Sequence, residues 1–394
     1  MSDHDPARTP APAALDRFRA LVTADPALQA DLAAPLDVDA FMELAVARAA
    51  EAGLALGRDE IAAAARPDPA GVARWLPVRE FAPDWPGEAW LPAHLDPAPD
   101  PYVGWTHVGG APLEGPFYAE ALRAAQARPF NRAFPHRNRL ADFVAAAAGR
   151  ERTPDGLIFH MSRCGSTLVS QMLAASPANT VVSEAQPIDG AVQLEAMGWP
   201  EGPLAAMVSA AGCRRRPGER RLFLKADCWH SLAWTLYRRA FPATPWVFLY
   251  RDPLEVLASQ ARAPGVETTP GALPFQIPGL DPTATPEDEY RAAFLGRTCA
   301  AAAEAFGQGG GLLVSYEELP EAVWTRILPH FGVTLDPDER AAMARAAVMD
   351  AKAPQRRFNP DAEAKRAEAT ERLAQLAQRH MAEPHRRLAA LRGR

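Results

Sequence analysis

The chain has 394 residues, 48% of them hydrophobic, enough for a sizeable core in one large domain with something smaller attached. Its net charge of −6 argues against general nucleic-acid binding, which needs a basic surface. No run of about 18 apolar residues offers a membrane span, and the polar start MSDHDPARTPAPA lacks a signal-peptide apolar region, so the chain reads as cytoplasmic with no membrane partner.

Residues 1–65 read as a small helical domain. Leu15, Phe18, Leu21 and Val22 share one helical face, Phe41, Leu44 and Ala45 mark a second helix, and Asp59-Glu60-Ile61 starts a third. Pro26 and Pro35 punctuate them. Residues 66–150 form an accessory zone. Its first part, to residue 110, carries Trp75, Trp85, Trp90 and Trp105 among many prolines without a clean period. Four tryptophans are too apolar for disorder, so this part is expected to be irregular chain packed on something larger, and 111–150 to be helical.

Residues 151–394 alternate short apolar runs with helical patterns. Candidate strands are Leu157–Met161, Thr180–Ser183, Arg221–Lys225, Trp246–Tyr250 and Leu312–Ser315. Helices are expected near Thr167, Pro187, Trp229, Pro253, Pro286 and Glu317, with a long one from Asp361 to the C-terminus. Such alternation predicts an α/β fold, a parallel sheet with helices on both faces. Ligands bind such sheets at the carboxyl ends of the strands. Those ends carry Ser162 and Arg163, Glu184, Lys225 and Arg251.

The most informative segment is Leu157–Leu173, LIFHMSRCGSTLVSQML. A strand, a tight polar turn (Ser162-Arg163-Cys164-Gly165-Ser166-Thr167) and a helix start together make an anion site. The free N–H groups of the first helical turn and the positive end of the helix dipole both point at the turn. Gly165 permits close backbone approach, Arg163 offers a cationic fork, and Ser166 and Thr167 add hydroxyl donors. A nucleotide-triphosphatase P-loop would read GxxxxGK[ST]. Here Ser166 follows the glycine and the loop holds no lysine.

The order basic residue, small residue, Gly-[ST]-Thr resembles the 5′-phosphosulfate loop of sulfotransferases. Those enzymes take 3′-phosphoadenosine-5′-phosphosulfate (PAPS) as co-substrate on a P-loop-like fold without a metal. A second segment, WVFLYRDPLEVLASQ from Trp246 to Gln260, resembles that family's 3′-phosphate motif, with Arg251 at the strand end and Ser259 in the next helix. The resemblance covers roughly residues 156–394. It implies that the Ser162–Thr167 loop, Arg251 and Ser259 bind PAPS, and that Lys225 contacts the bridging oxygen. Ser315-Tyr316-Glu317-Glu318-Leu319 is similar to a packing segment of the family, and Arg356, in a loop before the last helix, would add a late contact to the 3′-phosphate. Cys164 and Ser162 depart from the commoner serine and proline, without removing a backbone donor.

Transfer to a hydroxyl or amine needs a base, and two carboxylates compete. Glu184 follows TVVS, as the catalytic glutamate does in the tyrosylprotein branch, and is favoured. Asp227 lies two residues past Lys225, where cytosolic branches carry a histidine, and a helix-capping role suits it better. His160, on an apolar strand, reads as a core residue, and Cys164 as a small buried thiol more than a nucleophile. The four cysteines have no paired spacing, so neither zinc nor disulfides are expected. Lysine is rare here, with Lys225, Lys352 and Lys365 the only three, which singles out Lys225.

The segment Ala14–Ala64, through Phe18, Val22, Asp25, Pro26 and Leu28, resembles the Nif-eleven-type domain of peptide-natural-product leaders. It implies a recognition module for a peptide or protein partner, and leans the acceptor toward a peptide over a small molecule. The competing readings are a P-loop kinase or other nucleotide-dependent phosphotransferase, and a non-catalytic nucleotide-sensing interaction protein.

Overall fold

A computed structural model describes residues 13–68, 81–97, 99–113, 115–275, 277, 279–350 and 368–393, with the backbone of 353–357. Four helices open the chain, where the periodicity predicts three: α1 (Ala14–Ala24), α2 (Pro26–Ala33), α3 (Val38–Glu51) and α4 (Arg58–Ala64). Asp25 creates the extra boundary. Its carboxylate accepts from Ala27 N and Leu28 N while Pro26 takes the first helical position, so one helix ends and another starts there. Phe18 and Val22 are buried, but Leu21 faces solvent.

The zone from 81 to 139 departs from its reading. Strands β1 (Trp90–Asp96), β2 (Tyr102–His107) and β3 (His136–Arg139) form an antiparallel sheet in that order. Helices α5 (Tyr118–Gln126), α6 (Pro129–Ala133) and α7 (Leu140–Ala146) pack around it. Trp85, Trp90 and Trp105 are buried in an aromatic cluster with His107, Phe130, His136 and Phe143. Trp75 lies outside the described residues.

The central sheet is close to its expected form. Strands β4 (Gly156–His160), β5 (Asn179–Ser183), β6 (Arg221–Lys225), β7 (Trp246–Tyr250) and β8 (Gly311–Ser315) are all parallel, in the order β5-β6-β4-β7-β8. β4, β5 and β7 are buried along their whole length, as strands of a sheet covered by helices on both faces are. Helix α8 (Ser166–Ala174) follows β4, α9 (Gln186–Ala196) and α10 (Pro203–Ala211) follow β5, α11 (Trp234–Ala240) follows β6, and α12 (Pro253–Arg262) follows β7. The long α13 (Glu287–Phe306) leads into β8. From β4 the chain crosses to β5 on one side, and from β6 it returns past β4 to β7 on the other. The reversal opens a crevice above the carboxyl end of β4.

Near the C-terminus, β9 (Met349–Asp350) and β10 (Ala353–Arg357) pair antiparallel, so Arg356 belongs to a strand rather than a loop. Helical chain then runs from Glu371 to Arg392 with a π turn at Ala377–Met381, while 361–367 lie outside the described residues. The helix expected near Glu317 is a single 3-10 turn, Tyr316–Glu318. No helix among the described residues is long and apolar enough to cross a membrane.

Candidate functional site

The turn after β4 is built from left-handed residues. Ser162 (φ +68°), Arg163 (φ +52°) and Gly165 (φ +86°) bring the chain from the strand into α8 within six residues. Turns of this kind gather successive N–H groups into an anion-binding concavity, here at a helix N-terminus. Gly165 is required twice over. Its φ disfavours any side chain, and a Cβ there would lie 2.7 Å from Leu319 Cδ1 and 2.9 Å from Tyr316 Cδ2. Cys164 packs inward, donating from Sγ to Leu249 O, and burial pushes its thiol up to about 11, which makes it a poor nucleophile.

A cavity of about 440 Å³ lies over this turn. All six residues Ser162–Thr167 line it, together with His160, Glu184, Asp227, Arg251 and Ser259. The ends of β4, β5, β6 and β7 thus contribute to one crevice. Lys225 does not reach the wall; it is fully buried behind Glu184. Met349 and Asp350 also line the cavity. Arg357 pairs with Met349, which puts Arg356 one residue along a strand at the cavity's edge.

Glu184 forms the inner wall, with Lys225 buried behind it. Glu184 takes a left-handed φ of +48°, and its N–H extends the ladder by donating to Lys225 O at 2.9 Å. Its Oε1 lies 2.6 Å from Lys225 Nζ and 3.2 Å from His160 Nε2. Burial alone would raise this carboxyl, but the Lys225 ammonium and His160 overcome it and hold the group well below the usual carboxylate range. Lys225 Nζ also donates to Thr167 Oγ1 at 3.4 Å and sits 5.0 Å from the ring centre of Phe117. Burial keeps His160 neutral. Ser162 N donates to its Nδ1, so the ring proton belongs on Nε2, facing Ala226 O and Glu184.

Asp227 shows the opposite electrostatics. Burial, then the neighbouring charges of Glu184, Glu267 and Asp189, push its carboxyl well above the usual range. The expected capping role is present in part: Asp227 is the N-cap of a 3-10 turn, Cys228–Ala233, and its N–H donates to His230 Nδ1. Asp227, Cys228 and Glu267 place their ligand atoms within 4.8 Å of one another, close enough to hold a cation, which cysteine spacing alone did not suggest. Cys228 Sγ donates to Glu267 Oε1 at 3.2 Å, and burial keeps the thiol protonated.

Arg251 is 4% exposed, and its guanidinium is held on two sides. Nε donates to Glu255 Oε2 at 2.6 Å, Glu255 being equally buried, and the guanidinium lies 3.9 Å from the ring centre of Tyr316. Glu255 sits one helical turn beyond Arg251 on α12, a spacing legible in the sequence. Phe117 and Glu267 line the cavity from segments that carry no motif. Gln260 is fully buried one residue after Ser259 and joins the turn to the segment after α12.

No protein-family model matches the sequence, nor does any curated protein. Among solved structures the chain is similar to a sulfotransferase domain from the curacin biosynthetic pathway, at 14% identity and a TM-score of 0.37, over 61% of this chain and 98% of that one. It is similar to a Mycobacterium tuberculosis sulfotransferase at 14% identity and a TM-score of 0.38, over 64% and 84%. A sulfotransferase from Alicyclobacillus acidocaldarius gives 16% identity and a TM-score of 0.39, over 62% and 97%. Likenesses this loose leave function to be argued from the cavity itself.

Proposed function

We propose that the cavity binds PAPS and that the protein transfers its sulfuryl group to a hydroxyl or amine. One observation carries this reading: a lysine-free anion turn, a second arginine, Arg251, with the serine Ser259, and the two carboxylates Glu184 and Asp227 line a single cavity. In it, Ser162, Arg163, Cys164, Gly165, Ser166 and Thr167 hold the 5′-phosphosulfate through main-chain N–H groups, hydroxyls and the Arg163 fork. Arg251 and Ser259 take the 3′-phosphate, with Arg356 as a further cation. Glu255 fixes the plane of the Arg251 fork against Tyr316, which orients it before a phosphate arrives.

In the transfer, the acceptor oxygen or nitrogen attacks sulfur as the sulfur–oxygen bond to the phosphate breaks, and the acceptor proton passes to a carboxylate. Two neighbouring acids whose environments push their proton affinities apart divide the labour. Glu184 has its charge committed to Lys225 and is the weaker base. Asp227, with raised proton affinity and a place on the cavity wall, is the stronger base in its ionised form. We therefore assign Glu184 to holding Lys225, whose ammonium stabilises the developing charge beside Thr167. The sequence preference for Glu184 as base gives way to this division. The acceptor, a small molecule or a peptide, enters past Asp227 and Glu267. The N-terminal helices are proposed to recruit a peptide or protein partner.

One observation favours a second reading, a metal-assisted nucleotide phosphotransferase: the Asp227, Cys228 and Glu267 trio could hold a cation. Thermal melts separate the two. Adenosine 3′,5′-bisphosphate without magnesium is expected to stabilise the protein, by about 2.7 kcal/mol at a hundredfold excess over Kd. Stabilisation by ATP with magnesium alone would overturn the sulfotransferase reading.

A further inference from the structure

Ser162 faces the cavity with a single donor. Its main-chain N–H is spent on His160 Nδ1 at 3.1 Å, so it can offer an anion only its hydroxyl. A hydroxyl carries one hydrogen and two acceptor sites, and its rotation decides whether it attracts or repels an anion.

Gln260 settles that rotation. Its side chain is closed to solvent and cavity alike: Gln260 and Thr268 are 0% exposed, and Ser162 and Arg291 are both 7%. Gly265 N donates to Gln260 Oε1 at 2.7 Å, and a main-chain N–H can only donate. Thr268 Oγ1, 3.5 Å from the same oxygen, gives its one hydrogen to Gly265 O at 2.8 Å and accepts from Arg291 Nε at 3.4 Å, so it packs beside the amide and the Gly265 N–H is the donor that fixes it. That fixed donor orients the amide with Oε1 toward Gly265, which turns Nε2 toward Ser162. Nε2 donates to Ser162 Oγ at 3.0 Å. With that lone pair occupied, the Ser162 hydrogen is left to point away from Gln260, into the cavity.

We propose that Gln260 is a positioning residue that holds the Ser162 hydroxyl as a donor to the bound anion, through a buried chain running from the Gly265 main-chain N–H. The proposal rests on the reading of the turn as an anion site. It makes a serine, which in a freely rotating state is indifferent to charge, selective for an anion over a cation or a neutral ligand. It also ties the turn to the 263–268 segment, whose Gly265 and Glu267 form part of the cavity wall.

A double-mutant cycle tests this, with calorimetric Kd for adenosine 3′,5′-bisphosphate on the full chain. Ser162→Ala is expected to weaken binding about tenfold, the loss of one hydrogen bond to a charged group. Gln260→Met, similar in shape and unable to donate, is expected to weaken it several-fold while Ser162 is present and to have no further effect in Ser162→Ala. A purely structural role for Gln260 predicts the same loss in both backgrounds, and that result would overturn the proposal. So would wild-type affinity in Gln260→Met. If Gln260→Met does not fold, Gln260→Glu serves. Its carboxylate accepts from Ser162 and turns the hydroxyl away from the anion, so its loss must be larger in the wild-type background than in Ser162→Ala. Equal losses again refute the proposal. Failure of the wild-type chain to bind the bisphosphate at all removes the anion-site reading and the proposal together, an outcome distinct from equal losses.

Discussion

Glu184 and Asp227 sit side by side in one wall of the cavity and respond to pH in opposite senses. Glu184 is held below the usual carboxylate range, so it adds stability above that range which is lost as pH falls through its depressed value. Asp227 is raised, by burial first and by its acidic neighbours next, so the native state holds that proton more tightly than the unfolded chain does. Its contribution is full below the usual aspartate range and is lost as pH rises through the raised value. Asp227→Asn removes this loss. The variant is therefore expected to melt higher than wild type at neutral pH, by roughly 2 °C for about 1 kcal/mol, and to match it at about pH 4. Transfer activity should vanish in the same protein, because the amide cannot accept the proton. A melting temperature at neutral pH equal to or below that of wild type would mean that the carboxylate is stabilised by its surroundings. Glu184 and the lysine behind it were legible in the sequence where they end strands: Glu184 after TVVS and the rare Lys225 after RLFL. Their electrostatics were not, because the 2.6 Å contact joins neighbouring strands β5 and β6, and Glu267 comes from a segment 83 residues away from Glu184.

The turn between β4 and α8 depends on one glycine. Gly165→Ala meets two costs, about 1–2 kcal/mol for a left-handed backbone and the displacement of Leu319 and Tyr316, both within 3 Å of the new Cβ. Tyr316 stacks on Arg251, so the displacement reaches the second anion ligand as well. The variant is expected to lose about 2 kcal/mol or more in denaturant unfolding and to bind adenosine 3′,5′-bisphosphate more weakly. Gly149→Ala is the control. It has φ +81° and nothing within 4 Å, so it meets the backbone cost alone and leaves binding unchanged. Equal stability losses in the two variants would show that Tyr316 does not press on the turn. Elements of the central sheet were readable within a residue or so because both faces are buried, which gives apolar runs such as Leu157–Phe159 and Trp246–Tyr250. The smaller sheet was not. β1 has Pro92 in it and a register shift between Pro92 and His94 that breaks the period of two. β3 is His-Arg-Asn-Arg, four polar residues that become a strand only because Tyr102–Trp105 lie opposite them.

Across the whole molecule, the hydrophobic core is continuous from α1 to the C-terminal helix, although the sequence divides into three textures. The N-terminal helices reach the rest mainly through α6 and its flank. Phe134, 4% exposed, meets Phe18, Phe41 and Phe130 at centroid distances of 5.7, 6.2 and 5.2 Å. Trp90 Nε1 donates to Gln29 Oε1 at 2.9 Å, and Arg19 Nε donates to Ala133 O at 3.0 Å. Trp90 belongs to β1, and β1 packs on α9 so closely that a Cβ on Gly190 would lie 3.2 Å from Leu95. Apolar contact thus passes without a gap from the N-terminal helices, through the small sheet, to the helix that follows Glu184. Phe134→Ala empties the centre of the first junction and is expected to cost about 3–5 kcal/mol. With a continuous core the loss should lower one calorimetric transition as a whole, leaving a single peak with equal van't Hoff and calorimetric enthalpies. Two peaks, the upper one at the wild-type temperature, would instead make residues 1–65 an independently folding module. Binding of adenosine 3′,5′-bisphosphate to the folded variant should match wild type in either case, since none of the residues that line the cavity touches Phe134 in its ring contacts.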